Sequence, residues 1–290
     1  MRTLDFRDHR RELDDNRHVY AVVSRRSRGL SIGVNLNPDK VCNFDCPYCQ
    51  VDRTTPGGPR GVDPDRLEAE LAHLLGLVAD GRLWDVPPFD TAAPHLRVVR
   101  DIALAGDGEP TSSRAFAESI QRIIRQRAIH GLDAVELQVL TNATLFHRPA
   151  VREGLAALHD AGGRIVAKLD AGTEPYFHLV DGTKLPFQRI LDNLLSAGRD
   201  FGLTLQCMFL TLDGIGPTDD EVTAWAHRIR DLLDGGARID LVQVYSVART
   251  PADPRVGPLP TPRLEEIASK ARSLGVEVAT FPGLAPAKDS

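Results

Sequence analysis

Three of the chain's four cysteines stand in Cys42-Asn-Phe-Asp-Cys46-Pro-Tyr-Cys49, within eight consecutive positions of a 290-residue sequence. Three thiolates this close can converge on one metal centre, because a short irregular loop can turn them all inward. Four thiolates would close an iron–sulfur cluster on every side; three leave one iron without a protein ligand. An open position on a metal is where chemistry happens, by the logic that separates catalytic from structural zinc. The plainer alternative is a zinc knuckle, or two cysteines with a bystander. Zinc asks for a fourth ligand nearby, and the closest downstream histidine, His73, falls inside a predicted helix. The spacing therefore favours a cluster. The fourth cysteine, Cys207, sits far away within an apolar run.

Three further segments can carry chemistry. In Gly106-Asp107-Gly108-Glu109-Pro110 the glycines let the backbone approach a ligand closely, although the same residues also build ordinary turns. Thr141-Asn142 closes a predicted strand with an Asn turn. Lys168-Leu-Asp170 closes another, and two residues two apart on a strand point the same way. Lys168 and Asp170 therefore either pair or meet a ligand. Alternation along the later strands puts Leu205, Cys207 and Phe209 on one face and Gln206 and Met208 on the other. It likewise separates Val242 and Val244 from Gln243 and Tyr245. The apolar sets belong under covering helices and the polar sets on the inner face, with Gln138, Asn142, Lys168 and Asp170. Arg25, Arg26 and Arg28 form a solvated edge or meet an anionic ligand group.

The elements that position these residues follow from hydrophobic periodicity. Residues 1–21 are polar and Arg/Asp-rich and are expected to form an outer arm. Residues 30–36 alternate apolar and small side chains up to Pro38, which predicts a strand leading into the cysteine loop. A helix starts at the N-cap Asp63 and Pro64, with Leu67, Leu71, Leu74 and Val78 on one face and Gly81 as its stop. Residues 82–99 read as irregular, and 101–105 as a short buried strand ending at Gly106. Ser113 is the expected cap of a helix bearing Phe116, Ile120, Ile123 and Ile124. Strands at 135–141, 164–170, 203–210 and 239–246 then alternate with helices near 149–161, 186–201 and from Thr218 to about residue 233. The last of these opens with the capping box Thr218-Asp-Asp-Glu221. A Pro-rich stretch, a helix to about residue 274, a strand at 276–280 and a disordered tail complete the chain.

Strands alternating with helices of this length mean βαβ units and a parallel sheet, and the handedness of parallel crossovers curls six such units into a barrel or partial barrel. Sites in such folds gather at the C-terminal strand ends, where the cysteine loop and Gly106-Asp-Gly-Glu-Pro110 both lie. A core over 22–250 and an extension over 251–290 follow. Hydrophobic residues make up 42% of the chain and charged ones 26%, ordinary for a globular protein. No apolar run is long enough to span a membrane, and the charged N-terminus does not read as a signal peptide. Clustered cysteines point to a reducing cytoplasm. A net charge of −5 counts against nucleic acid as the main partner.

The C-x3-C-x2-C spacing with an aromatic before its last cysteine resembles the radical S-adenosylmethionine (SAM) superfamily. Ser24-Arg25-Arg26, Gly-Glu-Pro-Thr, Thr-Asn-Ala and Lys-Leu-Asp-Ala are similar to the branch of iron–sulfur oxidoreductases related to the tRNA wyosine-base synthases. The resemblance covers residues 22–250. It implies an α/β partial (β/α)6 barrel of the TIM type with short terminal extensions. It also implies a [4Fe-4S] cluster on Cys42, Cys46 and Cys49 whose open iron chelates SAM. In that reading Tyr48 packs near adenine, and Glu109 accepts a bond from the SAM ammonium. Gly106, Asp107, Gly108, Pro110, Thr141, Asn142 and Asp170 complete the cofactor's surroundings. A one-electron donor of flavodoxin or ferredoxin type then drives SAM cleavage to a 5′-deoxyadenosyl radical. That radical takes hydrogen from a small polar substrate contacted by Lys168, Gln206 and Tyr245.

The chain departs from the branch in carrying no flavodoxin-like domain, no added basic RNA-binding domain and no second cysteine set. The core chemistry carries over on this resemblance and the tRNA substrate does not. An electron-transfer iron–sulfur protein, a tRNA-base-modifying enzyme and a zinc-binding structural module stay open as alternatives.

Overall fold

Valines and isoleucines flanking the Arg-rich segment at residues 25–28 build a hairpin that starts earlier than the sequence pattern predicts. In the computed structural model, which describes residues 4–5, 15–249 and 251–283, β1 (Val19–Ser24) runs antiparallel to β2 (Gly29–Val34). β1 thus takes up the last residues of the expected arm; most of that arm, and the expected disordered tail, lie outside the described residues.

The chain divides into two compact units. The first comprises Met1–Cys42, Thr55–Thr141 and Leu145–Ile165. Its remaining elements are α1 (Pro64–Ala79), β3 (Val99–Leu104), α2 (Phe116–Ile129), β4 (Glu136–Thr141) and α3 (Pro149–Asp160). β3 lies parallel to β2, and β4 parallel to β3. α1 begins as its sequence predicts, with the Asp63 side chain accepting from Arg66 N, and it buries Leu67, Leu71 and Leu74. α2 starts later than expected. Pro110–Ser112 form a 3-10 turn that takes Ser113 as its end, so the helix begins after Ala115.

Two glutamates on α1 hold this unit together in different ways. Glu70 accepts the backbone N–H groups of Arg17, His18 and Val19 at 2.9, 2.7 and 3.0 Å, which pins the entry to β1. Burial raises its carboxyl pKa, but the Arg66 guanidinium and those three N–H groups outweigh burial and leave it below its ordinary value. Glu68 instead faces α2, where Arg122, Arg125 and Gln126 all donate to it.

The second unit comprises Asn43–Thr54, Asn142–Thr144 and Val166–Ser290. It holds β5 (Arg164–Lys168) from Val166 onward, α4 (Glu174–Asp181), α5 (Phe187–Asp200), β6 (Leu203–Met208) and β7 (Leu210–Leu212). Then come α6 (Asp219–Asp234), β8 (Ile239–Tyr245), β9 (Val256–Pro258), α7 (Thr261–Arg272) and β10 (Val278–Phe281). β5, β6, β8 and β10 pair parallel in that order, with Lys168 opposite Gln206 and Gln206 opposite Gln243. β7 and β9 form a separate antiparallel ribbon. Thr218 caps α6 by accepting from Glu221 N, which is one half of the expected capping box; the Glu221 carboxylate does not reach back to Thr218 but accepts from Gly172 N and Thr173 N. Helix α4 and strands β7 and β9 have no counterpart in the sequence reading. Each unit joins parallel strands through helices, which is the α/β class. Among the described residues no helix is long and apolar enough to cross a membrane.

Candidate cluster and cofactor site

In the second unit the cysteine loop is shaped by α4. Cys49 N bonds Cys46 O at 2.9 Å, which tightens the turn through Pro47 and Tyr48. Asp45 N meets Asp181 O and Gly182 O, both at 3.3 Å, where α4 ends. Gly182 is left-handed there, with φ 57°, and a Cβ would stand 2.0 Å from Asp45 O. Only glycine meets both demands. Phe44 packs edge-on against Phe177 of α4, with ring centroids 5.7 Å apart.

Cys46 is buried, its sulfur 3.6 Å from both Asp181 O and Asp181 Oδ1 and 3.6 Å from Lys168 Nζ. Tyr48 donates its hydroxyl to Asp170 and accepts from Lys168 Nζ at 2.6 Å. The same ammonium lies 4.6 Å from the Tyr48 ring centroid and 3.9 Å from Asp170 Oδ2. Asp170 Oδ1 accepts Met208 N at 2.8 Å. Arg53 Nη1 donates to the Cys49 sulfur at 3.0 Å.

Burial sets the protonation of this group. It pushes the Cys46 thiol well up, against a downward pull from Lys168. It also raises the Tyr48 phenol, with Asp170 adding to the effect. Asp181 is raised by burial and by the neighbouring Asp170. For Lys168 burial acts downward, but Cys46, Asp170 and Asp181 outweigh it and keep the ammonium charged. A metal reverses the thiol's preference, since a coordinating thiol loses its proton outright. The donor set suits thiolate ligands: Cys46 and Cys49 each face a cation that can donate to sulfur. Among the described residues, no three His, Cys, Asp or Glu side chains are gathered as a finished metal site.

In the first unit Cys42 is half-buried, and Gly106-Asp-Gly-Glu-Pro110 follows β3. A Cβ on Gly106 would stand 2.2 Å from Asn35 Oδ1, and one on Gly108 2.1 Å from Val41 O. The glycines therefore let this turn sit against the segment that leads to Cys42. Asn35 accepts from Asp107 N at 3.1 Å and donates to Asp107 Oδ2 at 2.7 Å. Glu109 is 3% exposed. Its Oε1 accepts Thr111 N at 3.1 Å, Thr111 Oγ1 at 2.5 Å and Thr141 Oγ1 at 2.6 Å. Pro110 opens the 3-10 turn that follows.

Among the residues expected from the sequence, the structure brings Cys46, Tyr48, Lys168 and Asp170 into one group, and Glu109 and Thr141 into another. Asn142 Nδ2 donates to Asn43 Oδ1 at 2.7 Å, which ties the residue after β4 to the residue after Cys42. Gln206 is half-exposed beside Lys168 in register. Tyr245 is buried, stacked on Phe281 with centroids 4.3 Å apart, its hydroxyl 3.3 Å from Gln243 Oε1. Cys207 is fully buried on the face where Phe209 meets Trp225 edge-on. Asp181, Arg53 and Asn43 were not singled out by the sequence pattern. Asp181 was recoverable, because Thr173-Glu-Pro175 is a helix start and Gly182 a helix stop.

No family model matches the chain. It is 26% identical over 226 residues to a UPF0026 protein of Helicobacter pylori, covering 77% of this chain and 65% of that protein. It is 22% identical over 187 residues to a protein of Brachyspira hyodysenteriae named GTPase Obg, covering 64% of this chain and 24% of that one. The chain thus spans less than two thirds of the length of either relative. Among solved structures it is similar to a radical SAM methyltransferase from Sphaerobacter thermophilus, with a TM-score of 0.61 and 15% identity. That likeness covers 93% of this chain and 71% of the other. It is also similar to TYW1 solved with a lysine–pyruvate adduct, with a TM-score of 0.57 and 13% identity over 90% of this chain and 85% of that one. These likenesses show the fold: the α/β partial barrel of radical SAM proteins.

Proposed function

We propose that the protein is a cytoplasmic radical SAM enzyme in which Cys42, Cys46 and Cys49 hold a [4Fe-4S] cluster with one iron open to SAM. The observation that carries this reading is the three-cysteine loop itself, with Cys46 buried between α4 and the Lys168 ammonium, in a chain with the radical SAM fold. When bound, the cluster and SAM supply reductive cleavage of SAM and abstraction of hydrogen from an unactivated C–H bond. The chain supplies binding, orientation and exclusion of water. Glu109 has its carboxylate plane fixed by three donors on Oε1, as an acceptor for the SAM ammonium must. Gly106, Asp107, Gly108 and Pro110 shape the turn that carries it. Thr141, Asn142, Tyr48 and Asp170 complete the cofactor's contacts.

The amides and phenol of Gln206, Gln243 and Tyr245 suit a small polar substrate better than a fatty one. The methyltransferase and TYW1 differ in chemistry and share the fold, so fold alone does not select a substrate. A flavodoxin- or ferredoxin-like protein is the fitting electron source. Anaerobic reconstitution should give about four irons per chain, and dithionite with SAM should then release 5′-deoxyadenosine. A colourless, air-stable zinc protein would overturn the reading. Iron without SAM cleavage would leave an electron-transfer protein.

A further inference from the structure

Lys168 ends β5 with its ammonium in a setting unusual for a substrate contact. Its Nζ donates to Tyr48 O at 2.6 Å and lies 3.6 Å from the Cys46 sulfur and 3.9 Å from Asp170 Oδ2. An ammonium has three donors; here one goes to the phenol oxygen and one to the thiol sulfur, with the carboxylate as a nearby counter-charge. The residue is 26% exposed, while Cys46, Tyr48, Asp170 and Asp181 around it are each buried.

We propose that Lys168 is a positioning residue of the metal centre: its ammonium donates to the Cys46 sulfur and raises the reduction potential of the cluster that this sulfur binds. The proposal rests on Cys46 being an iron ligand. Hydrogen bonds to ligand sulfurs, net charge and solvent exposure set the potential of such clusters. Reduction adds one electron, supplied by dithionite in the test below, and the step moves no proton. A cation held at a ligand sulfur favours the more negative state. It does so more strongly where burial lowers the local dielectric. Arg53 donates to Cys49 in the same manner, but from an exposed position, where solvent screens its charge. Of the two cations Lys168 therefore has the larger effect.

The test is an anaerobic redox titration followed by electron paramagnetic resonance, with iron counted for each protein. Lys168→Met should keep the iron and lower the midpoint potential by at least a tenfold shift in the reduction equilibrium, about 59 mV for one electron. Lys168→Arg should restore most of it, and Arg53→Met should shift it less than Lys168→Met. Full iron with the wild-type potential in Lys168→Met would overturn the proposal. If that variant binds no iron, Lys168→Arg and Lys168→Gln decide, since the first keeps the charge and the second only a donor. Equal potentials in those two would overturn it as well. A wild-type protein that assembles no four-iron cluster would overturn the reading of the cysteines and this proposal with it. A normal wild-type cluster indifferent to residue 168 overturns the proposal alone.

Discussion

Glu109 and Asp170 are both buried carboxylates just past a parallel strand, 3% and 2% exposed, yet they are satisfied in opposite ways. Glu109 takes neutral donors from two threonines and a backbone N–H. Asp170 takes a backbone N–H, a phenol and the field of an ammonium that also serves a thiol. The first is an oriented acceptor held by donors that carry no net charge. The second belongs to a network of Tyr48, Lys168, Asp181 and Cys46, whose total charge changes when the thiol becomes a metal ligand. A fixed corner suits recognition of an unchanging ammonium, and a charge-coupled one suits a centre that gains and loses electrons.

The harshest way to break this contrast is to remove the ligands. Cys42→Ala, Cys46→Ala and Cys49→Ala should each reduce SAM cleavage to background, measured as 5′-deoxyadenosine released; undiminished release from any one would sink the assignment. Next in size is Asp170→Asn, which leaves Lys168 without its buried counter-charge. It should cost on the order of 3 kcal/mol in denaturant unfolding, the low end for a broken buried pair because Lys168 reaches solvent. A cost near zero would mean that the network is not charge-coupled.

Glu109→Ala tests the other side. SAM affinity should fall roughly ten- to a hundredfold, as expected for a lost charge-assisted bond of about 1.5–3 kcal/mol, with iron content unchanged. Calorimetry showing normal SAM binding would remove Glu109 from the cofactor site. The smallest effect belongs to Glu68 on α1. Bonds from Arg125 and Gln126 hold its pKa down from its ordinary 4.5 to about 2, against burial. Its folded value is the lower one, so its stabilisation is present above 4.5 and is lost as pH falls toward about 2. Glu68→Gln should cost about 1 kcal/mol at pH 7 and much less at pH 3, read as the difference in urea midpoints. A cost that does not shrink with pH would show that packing, and not charge, joins α1 to α2.

What the sequence made legible follows from how far along the chain each signal acts. Asp63 with Pro64, and Thr218 with Glu221, announce α1 and α6 because a cap and its helix are adjacent. Lys168 and Asp170 could be matched by strand alternation, and they lie 3.9 Å apart. That Tyr48 joins them could not be read, since 120 residues separate it from Lys168 and no local periodicity spans such a gap. α4 escaped notice because eight residues make barely two turns, too few for an apolar stripe. With α4 went Asp181. β9 was hidden by its proline, which strands tolerate at an edge or end.

The grip of α4 on the cysteine loop also has a consequence in time. Cys46 and Asp181 are 135 residues apart, and Asp45 leans on the same helix end. At roughly 5–20 residues per second, the ribosome delivers the cysteines on the order of ten seconds before the segment that shapes their loop. During that interval the nascent thiols belong to an unfinished loop. Iron delivered on the ribosome would meet a different ligand geometry from iron delivered to the completed chain.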